Sequence, residues 1–165
     1  MNRLTNEAYH VNDTSGFAIY LVRPNTTEMI IYTDDDETDL SIFIEIVENL
    51  GREVIAFQNP EDLLRRMELP PPDLAMLFLD INMPLVNGIR VLEIIRASPT
   101  WKMLPVVILS TTANHNYIQE TQLLGANFYI VKPSNHEQLQ KAIRYTLSID
   151  WEKRLVTTDN FLYQP

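Results

Sequence analysis

The strongest constraint on this chain is an alternation that begins at Met29 and repeats five times. Each repeat is a short apolar, β-rich run followed by a stretch with helical spacing. The runs are MIIYT (29–33), REVIAF (52–57), LAMLFLD (74–80), LPVVILS (104–110) and NFYIVKP (127–133). The first helical stretch, ETDLSIFIEIVENLG, spaces Leu40, Phe43, Ile44 and Val47 along one face and stops at Gly51. The second opens with Asn59 as N-cap and Pro60 in the first turn. The third is NGIRVLEIIRAS. The fourth, HNYIQETQLLGA, is weaker and closes at Gly125. The fifth, capped by Ser134 or Asn135, aligns Leu139, Ile143 and Leu147. Alternating strand–helix units bury their apolar faces as a parallel sheet with helices on both sides, so the expected class is a doubly wound α/β domain.

Composition narrows the chemistry. The 165 residues include no cysteine, which excludes disulfides, thiolate metal sites and cysteine nucleophiles. The formal net charge of −9 opposes nucleic-acid binding, which calls for a basic face. No apolar run approaches the roughly 18 residues of a membrane-spanning helix, and GFAIYLV (16–22) lacks the features of a signal peptide. A cytoplasmic protein whose partners are proteins or cations is the expectation. The NTT at Asn25 to Thr27 is a formal glycosylation sequon that carries no weight without a secretion signal.

In an open parallel sheet, ligands bind outside the carboxyl ends of the strands. Asp34, Asp35 and Asp36 stand there after the first run, Asp80 after the third, Ser110 with Thr111 and Thr112 after the fourth, and Lys132 with Pro133 after the fifth. Adjacent carboxylates repel unless solvated or shared by a cation. Acidic side chains with few other donors suit a hard divalent ion such as Mg²⁺, which binds one or two carboxylates plus waters and a phosphate. Lys132 adds a point charge for an anion and Ser110 a hydroxyl donor. Asp36 and Glu37 read more simply as the solvated first turn of a helix.

IIYTDDDE, LFLDINMPLVNG, LPVVILSTTA and GANFYIVKP, in that order, resemble the successive signatures of the receiver domain of two-component response regulators, over roughly residues 29–148. The resemblance implies a flavodoxin-like three-layer fold of strand order 2-1-3-4-5. It implies Asp80 as the phospho-acceptor, with Mg²⁺ held by Asp34, Asp35, Asp80 and the backbone carbonyl of Asn82, and Asp35 the more direct ligand of the acidic pair. It implies Lys132 as the phosphate-pairing lysine, Ser110 as the switch hydroxyl and Tyr129 as the switch aromatic that turns inward when the hydroxyl moves. The implied donor is a sensor histidine kinase or histidine phosphotransfer protein. The implied readout is a population shift on the face of the fourth helix, fifth strand and fifth helix, through which a homodimer can form. Such a domain is a phosphoacceptor with at most slow self-hydrolysis rather than a turnover enzyme. The sequence departs from the pattern at Thr33, where an apolar residue is commoner, and at Thr111, bulkier than the usual alanine or glycine. Asn82 and Thr112 stand at positions that tune self-hydrolysis in the family.

Two other functions compete. A haloacid-dehalogenase-type phosphatase uses a similar set of groups, but it needs an aspartate two residues beyond the nucleophile, where Asn82 stands, and an acidic pair that follows rather than precedes it. A pseudo-receiver, a binding module without phosphorylation, would not need every acceptor-site residue. The expected division is an N-terminal extension over 1–28, the receiver over 29–148 and a C-terminal tail over 149–165. That tail is too short for an output domain, so output is expected through protein–protein contacts in a phosphorelay. The tail aromatics Trp151, Phe161 and Tyr163 are expected to pack on the domain surface. Pro84 and Gly88 are expected to shape the loop after Asp80, Met83 and Leu85 to pack, Trp101 to anchor neighbouring elements, and His10, His115 and His136 to be surface residues.

Overall fold

The computed structural model of the protein describes residues 9–12, 18–21, 29–72 and 76–164. An antiparallel pair comes first, β1 (Tyr9–Asn12) with β2 (Ala18–Leu21), in a register that sets Tyr9 opposite Leu21. The run FAIYLV is thus in part a strand. The rest of 1–28, with the sequon, lies outside the described residues, as do Leu74 and Ala75 of the third run.

The alternation then unfolds as expected: β3 (Met29–Thr33), α1 (Glu37–Asn49), β4 (Glu53–Phe57), α2 (Pro60–Arg66), β5 (Met76–Leu79), α3 (Gly88–Ala97), β6 (Val106–Ser110), α4 (His115–Leu123), β7 (Phe128–Val131) and α5 (His136–Leu147). The five strands from β3 form one parallel sheet in the order β4-β3-β5-β6-β7. Counted from β3, this is 2-1-3-4-5.

Capping explains where the helices begin. Asp36, Asn59, Asn87, Asn114 and Asn135 each accept N–H bonds from the first turn of the helix that follows. Gly51 and Gly125, at φ +73° and +88°, provide the left-handed residues just beyond α1 and α4.

Alternate residues of each strand feed separate cores, because strand side chains point to opposite faces. Ile31, Leu77, Leu79, Val106 and Ile108 pack with Leu63 of α2 and Val91, Leu92 and Ile95 of α3. Ile30, Tyr32, Phe78, Val107 and Ile130 pack with Phe43, Ile46 and Val47 of α1 and Ala142 and Ile143 of α5. Trp101 is fully buried, and its indole N–H donates to the Leu69 carbonyl at 2.9 Å, the anchoring role expected of it. By contrast α4 buries only Thr121, so it is the helix least tied to the sheet.

The tail packs back onto the domain. A short helix, α6 (Thr158–Phe161), brings Phe161 into the first core at 1% exposure, and Leu162 makes a parallel bridge to Tyr129 on the edge strand β7. Trp151 and Tyr163 rest half-buried against Phe128, with ring centroids at 6.1 and 6.2 Å.

Candidate functional site

The sheet carries its reactive residues one step beyond the ladder. Asp34 N–H donates to the Phe57 carbonyl, Asp80 N–H to Thr33 and Lys132 N–H to Ser110, at 3.1, 3.0 and 2.8 Å. Each residue is therefore held by sheet-like bonding although its strand has ended. Asp34, Asp80, Ser110 and Lys132 share one edge in consequence, and all are buried apart from Lys132, whose side chain keeps 9% exposure.

The three consecutive aspartates do three different things. Asp36 faces solvent and caps α1, accepting from Thr38 and Asp39 N–H at 2.8 and 3.0 Å, and those bonds hold its carboxyl below the ordinary range. Asp34 is buried and accepts from the Tyr32 hydroxyl, the Asp36 N–H and the Lys132 ammonium. Burial pushes its carboxyl above the ordinary value, against the pull of Lys132. Asp35 is exposed at the mouth between them. Carboxylate oxygens of Asp34, Asp35 and Asp80 lie within 4.8 Å of one another. Asp80 Oδ1 is buried and has no hydrogen-bond partner among the described residues. An unpaired buried carboxylate oxygen beside two more carboxylates is costly alone and fits a divalent cation. The acidic set expected from the sequence is thus assembled.

Lys132 bridges two carboxylates, Asp34 and Asp39, the latter at 2.7 Å. Burial acts to lower its ammonium, but the charge and hydrogen bond of Asp34, the hydrogen bond of Asp39 and the charge of Asp80 outweigh that and hold it above its usual value. Asp39 and Tyr32 escaped the sequence reading. Tyr32 was legible in principle, since it lies two residues before Asp34 on the same strand face; Asp39 lies one turn into α1, where nothing local points to Lys132.

Across the cleft, Ser110 is fully buried, and the Asn82 amide donates to its hydroxyl at 3.1 Å and to that of Thr111 at 3.4 Å. Asn82 thus tethers the Ser110 hydroxyl through its side chain. Tyr129 is buried with its ring turned inward, and its hydroxyl donates to the Thr112 carbonyl at 2.8 Å. Burial, with the charge of Asp80, raises that phenol to about 12.

The loop after Asp80 departs from expectation at one residue. Met83 packs, but Leu85 is 87% exposed. Val86 N–H bonds the Pro84 carbonyl at 2.7 Å in a three-residue turn that drives Leu85 to φ +66° and its side chain outward. His115 and His136 are exposed, as expected, while the His10 side chain lies outside the described residues.

A family model described as response regulator receiver domain matches residues 30–144. Among curated relatives, protein RcaC of Microchaete diplosiphon is 27% identical over 73% of this chain, and a probable chemotaxis protein CheY of Rhizobium etli is 27% identical over 69% of this chain and 88% of its own length. The chain spans 18% of RcaC and less than a quarter of several other relatives. Among solved structures, the phosphorylated cyanobacterial phytochrome response regulator RcpA aligns at 27% identity with a TM-score of 0.68, covering 79% of this chain and 98% of that one.

Proposed function

Because the chain belongs to the response regulator receiver family, we propose that it acts as a phosphoacceptor through Asp80 and signals through protein–protein contacts. The observation that carries this reading is the Asp80 carboxylate: buried, with one oxygen unpartnered among the described residues, and flanked by Asp34, Asp35, Ser110 and Lys132 on neighbouring strand ends. Receivers are signalling domains that bind a divalent ion in their acidic pocket and interact with histidine kinases and phosphotransfer proteins.

In this chain a carboxylate oxygen of Asp80 attacks the phosphorus of a partner's phosphohistidine. The P–N bond breaks as the P–O bond forms, and the imidazole leaves with the nitrogen lone pair. Lys132 leaves its carboxylate partners to pair with the phosphoryl oxygens, and Ser110 donates its hydroxyl to another. Mg²⁺ held by Asp34, Asp35, Asp80 and the Asn82 carbonyl would supply charge neutralisation for the in-line transfer. Asn82 and Thr112, each two residues beyond Asp80 and Ser110, set how slowly water hydrolyses the aspartyl phosphate to free carboxylate and inorganic phosphate. A cytoplasmic setting completes the reading; the face of α4, β7 and α5 expected for a homodimer carries the tail along β7 and against α5.

The test is intact mass after incubation with Mg²⁺ and acetyl phosphate. Wild type is expected to gain one labile phosphoryl group that is absent from Asp80→Asn and abolished by EDTA. A folded, Mg²⁺-binding protein that gains none would defeat the reading. Donor turnover without an adduct would instead point to the phosphatase.

A further inference from the structure

Residues 154–163 add something to the domain that acceptor chemistry alone does not require. Phe161 and Tyr129 are both sealed from solvent, with ring centroids 6.3 Å apart at an interplanar angle of 57°. Tyr163 N–H donates to the Tyr129 carbonyl at 2.8 Å, and Leu162 pairs alongside. Tyr129 is therefore gripped at its backbone and its ring by one segment, while its hydroxyl is fixed to Thr112 beyond Ser110.

The segment is firmly anchored. Asn160 accepts from Thr157 N–H at 2.8 Å and donates to the Leu155 carbonyl at 2.9 Å. Arg154 donates to the Asn160 carbonyl and stacks over Phe128 and Trp151, at 4.7 and 5.4 Å from their ring centres. Tyr163 also meets Tyr145 of α5 at 5.6 Å. The segment thus bridges β7 and α5 beside the switch aromatic.

We infer that the tail is a built-in clamp that holds Tyr129 inward, with Phe161 as a positioning residue acting on the Ser110–Thr112 loop through it. Turning Tyr129 outward would break its bond to Thr112 and strip Phe161 of its packing partner, so the ring cannot leave while the tail is docked. The acceptor site is then preset in the arrangement that phosphoryl occupancy favours. That last step rests on the phosphoacceptor reading. Linkage makes the effect reciprocal: a docked tail raises affinity for a phosphoryl group on Asp80, and an occupied Asp80 holds the tail.

The test is ¹⁹F NMR of the full chain labelled with 3-fluorotyrosine, with the Tyr129 signal assigned from Tyr129→Phe. In wild type, Tyr129 is expected to give one buried resonance that Mg²⁺ and beryllofluoride leave in place. In Phe161→Ala a second, solvent-exposed state is expected, drawn back by beryllofluoride, whose affinity falls roughly tenfold. Phe161→Leu is expected to restore the single resonance. Tyr163→Pro, which removes the N–H donor and the half-buried ring against Phe128 but leaves Phe161 in place, is expected to give the same second state should Phe161→Ala fail to fold. A wild-type Tyr129 resonance that moves with beryllofluoride overturns the clamp, as does an unchanged resonance in both tail variants. If beryllofluoride binds neither protein while the variants still release Tyr129, the clamp stands and the acceptor reading falls.

Discussion

Gly88 approaches the backbone of Asp80 so closely that a Cβ on it would stand 2.1 Å from the Asp80 carbonyl oxygen and 2.8 Å from Ile81 Cα. No side chain fits, and the obstacle is main chain. Ordinarily Gly→Ala at the start of a helix stabilises by up to about 1 kcal/mol. Here the sign reverses. Gly88→Ala is expected to destabilise the fold by several kcal/mol, of the order seen for severe packing faults, and to abolish acetyl phosphate labelling. Urea denaturation and intact mass check both effects.

Removing Lys132 leaves Asp34 buried among carboxylates with no cation. Lys132→Met is expected to cost about 3–5 kcal/mol in EDTA, the usual penalty for orphaning a buried charge. Mg²⁺ should recover part of it by taking the cation's place. Equal losses with and without Mg²⁺ in denaturant titrations would contradict this arrangement.

Thr33 is fully buried, and its hydroxyl has no partner among the described residues. An unsatisfied buried hydroxyl costs about 1–3 kcal/mol. Thr33→Val keeps the shape and removes the polar atom, so a gain of about 1 kcal/mol is expected by thermal or urea unfolding, with labelling unchanged.

The Arg96 guanidinium donates to the carbonyls of Gly125, Lys102 and Leu104 and to the Asn127 side chain, at 2.8 to 3.0 Å. Burial lowers its pKa to about 10. Arg96→Met is expected to destabilise by roughly 2–4 kcal/mol, because several acceptors lose a charged donor, while Asp80 labelling persists in the folded fraction.

Tyr129 makes a pH-dependent contribution of known sign. Burial raises its phenol from 10.0 to about 12, so the folded state holds the proton more tightly than the unfolded one. That stability is fully present below pH 10 and is lost as pH rises towards about 12, by roughly 2–3 kcal/mol in all. The stability difference between wild type and Tyr129→Phe should therefore shrink or reverse across that window and stay flat below it. A constant difference would show that the hydroxyl does not titrate as described.

The sequence reveals the periodic features well and the long-range ones poorly. The sheet is legible because each of its five strands is an apolar run closed by turn chemistry, and Asn59 and Asn135 announce their helices locally. Asp34, Asp35, Asp80, Ser110 and Lys132 are legible because strand ends bring them to one edge. Asp39 is not, since its bond to Lys132 joins residues 93 apart. Arg96 reads as an ordinary charge on a helix face until the chain beyond α4 folds against it. Leu85 fails for a different reason: its position is set by a backbone turn, and an apolar side chain gives no sign that the turn will expel it. Phe161 reads as a surface aromatic because nothing in its neighbourhood reveals that the chain returns to β7.

The bond from Tyr163 N–H to the Tyr129 carbonyl also bears on solubility. A parallel sheet ends in two strands with unpaired main-chain groups, and an open row of that kind templates the addition of foreign strands. Leu162 and Tyr163 lie along one such margin. A chain shortened before Leu155 would bare that margin together with the pocket Phe161 leaves, and it should self-associate with rising concentration even where its acceptor chemistry survives.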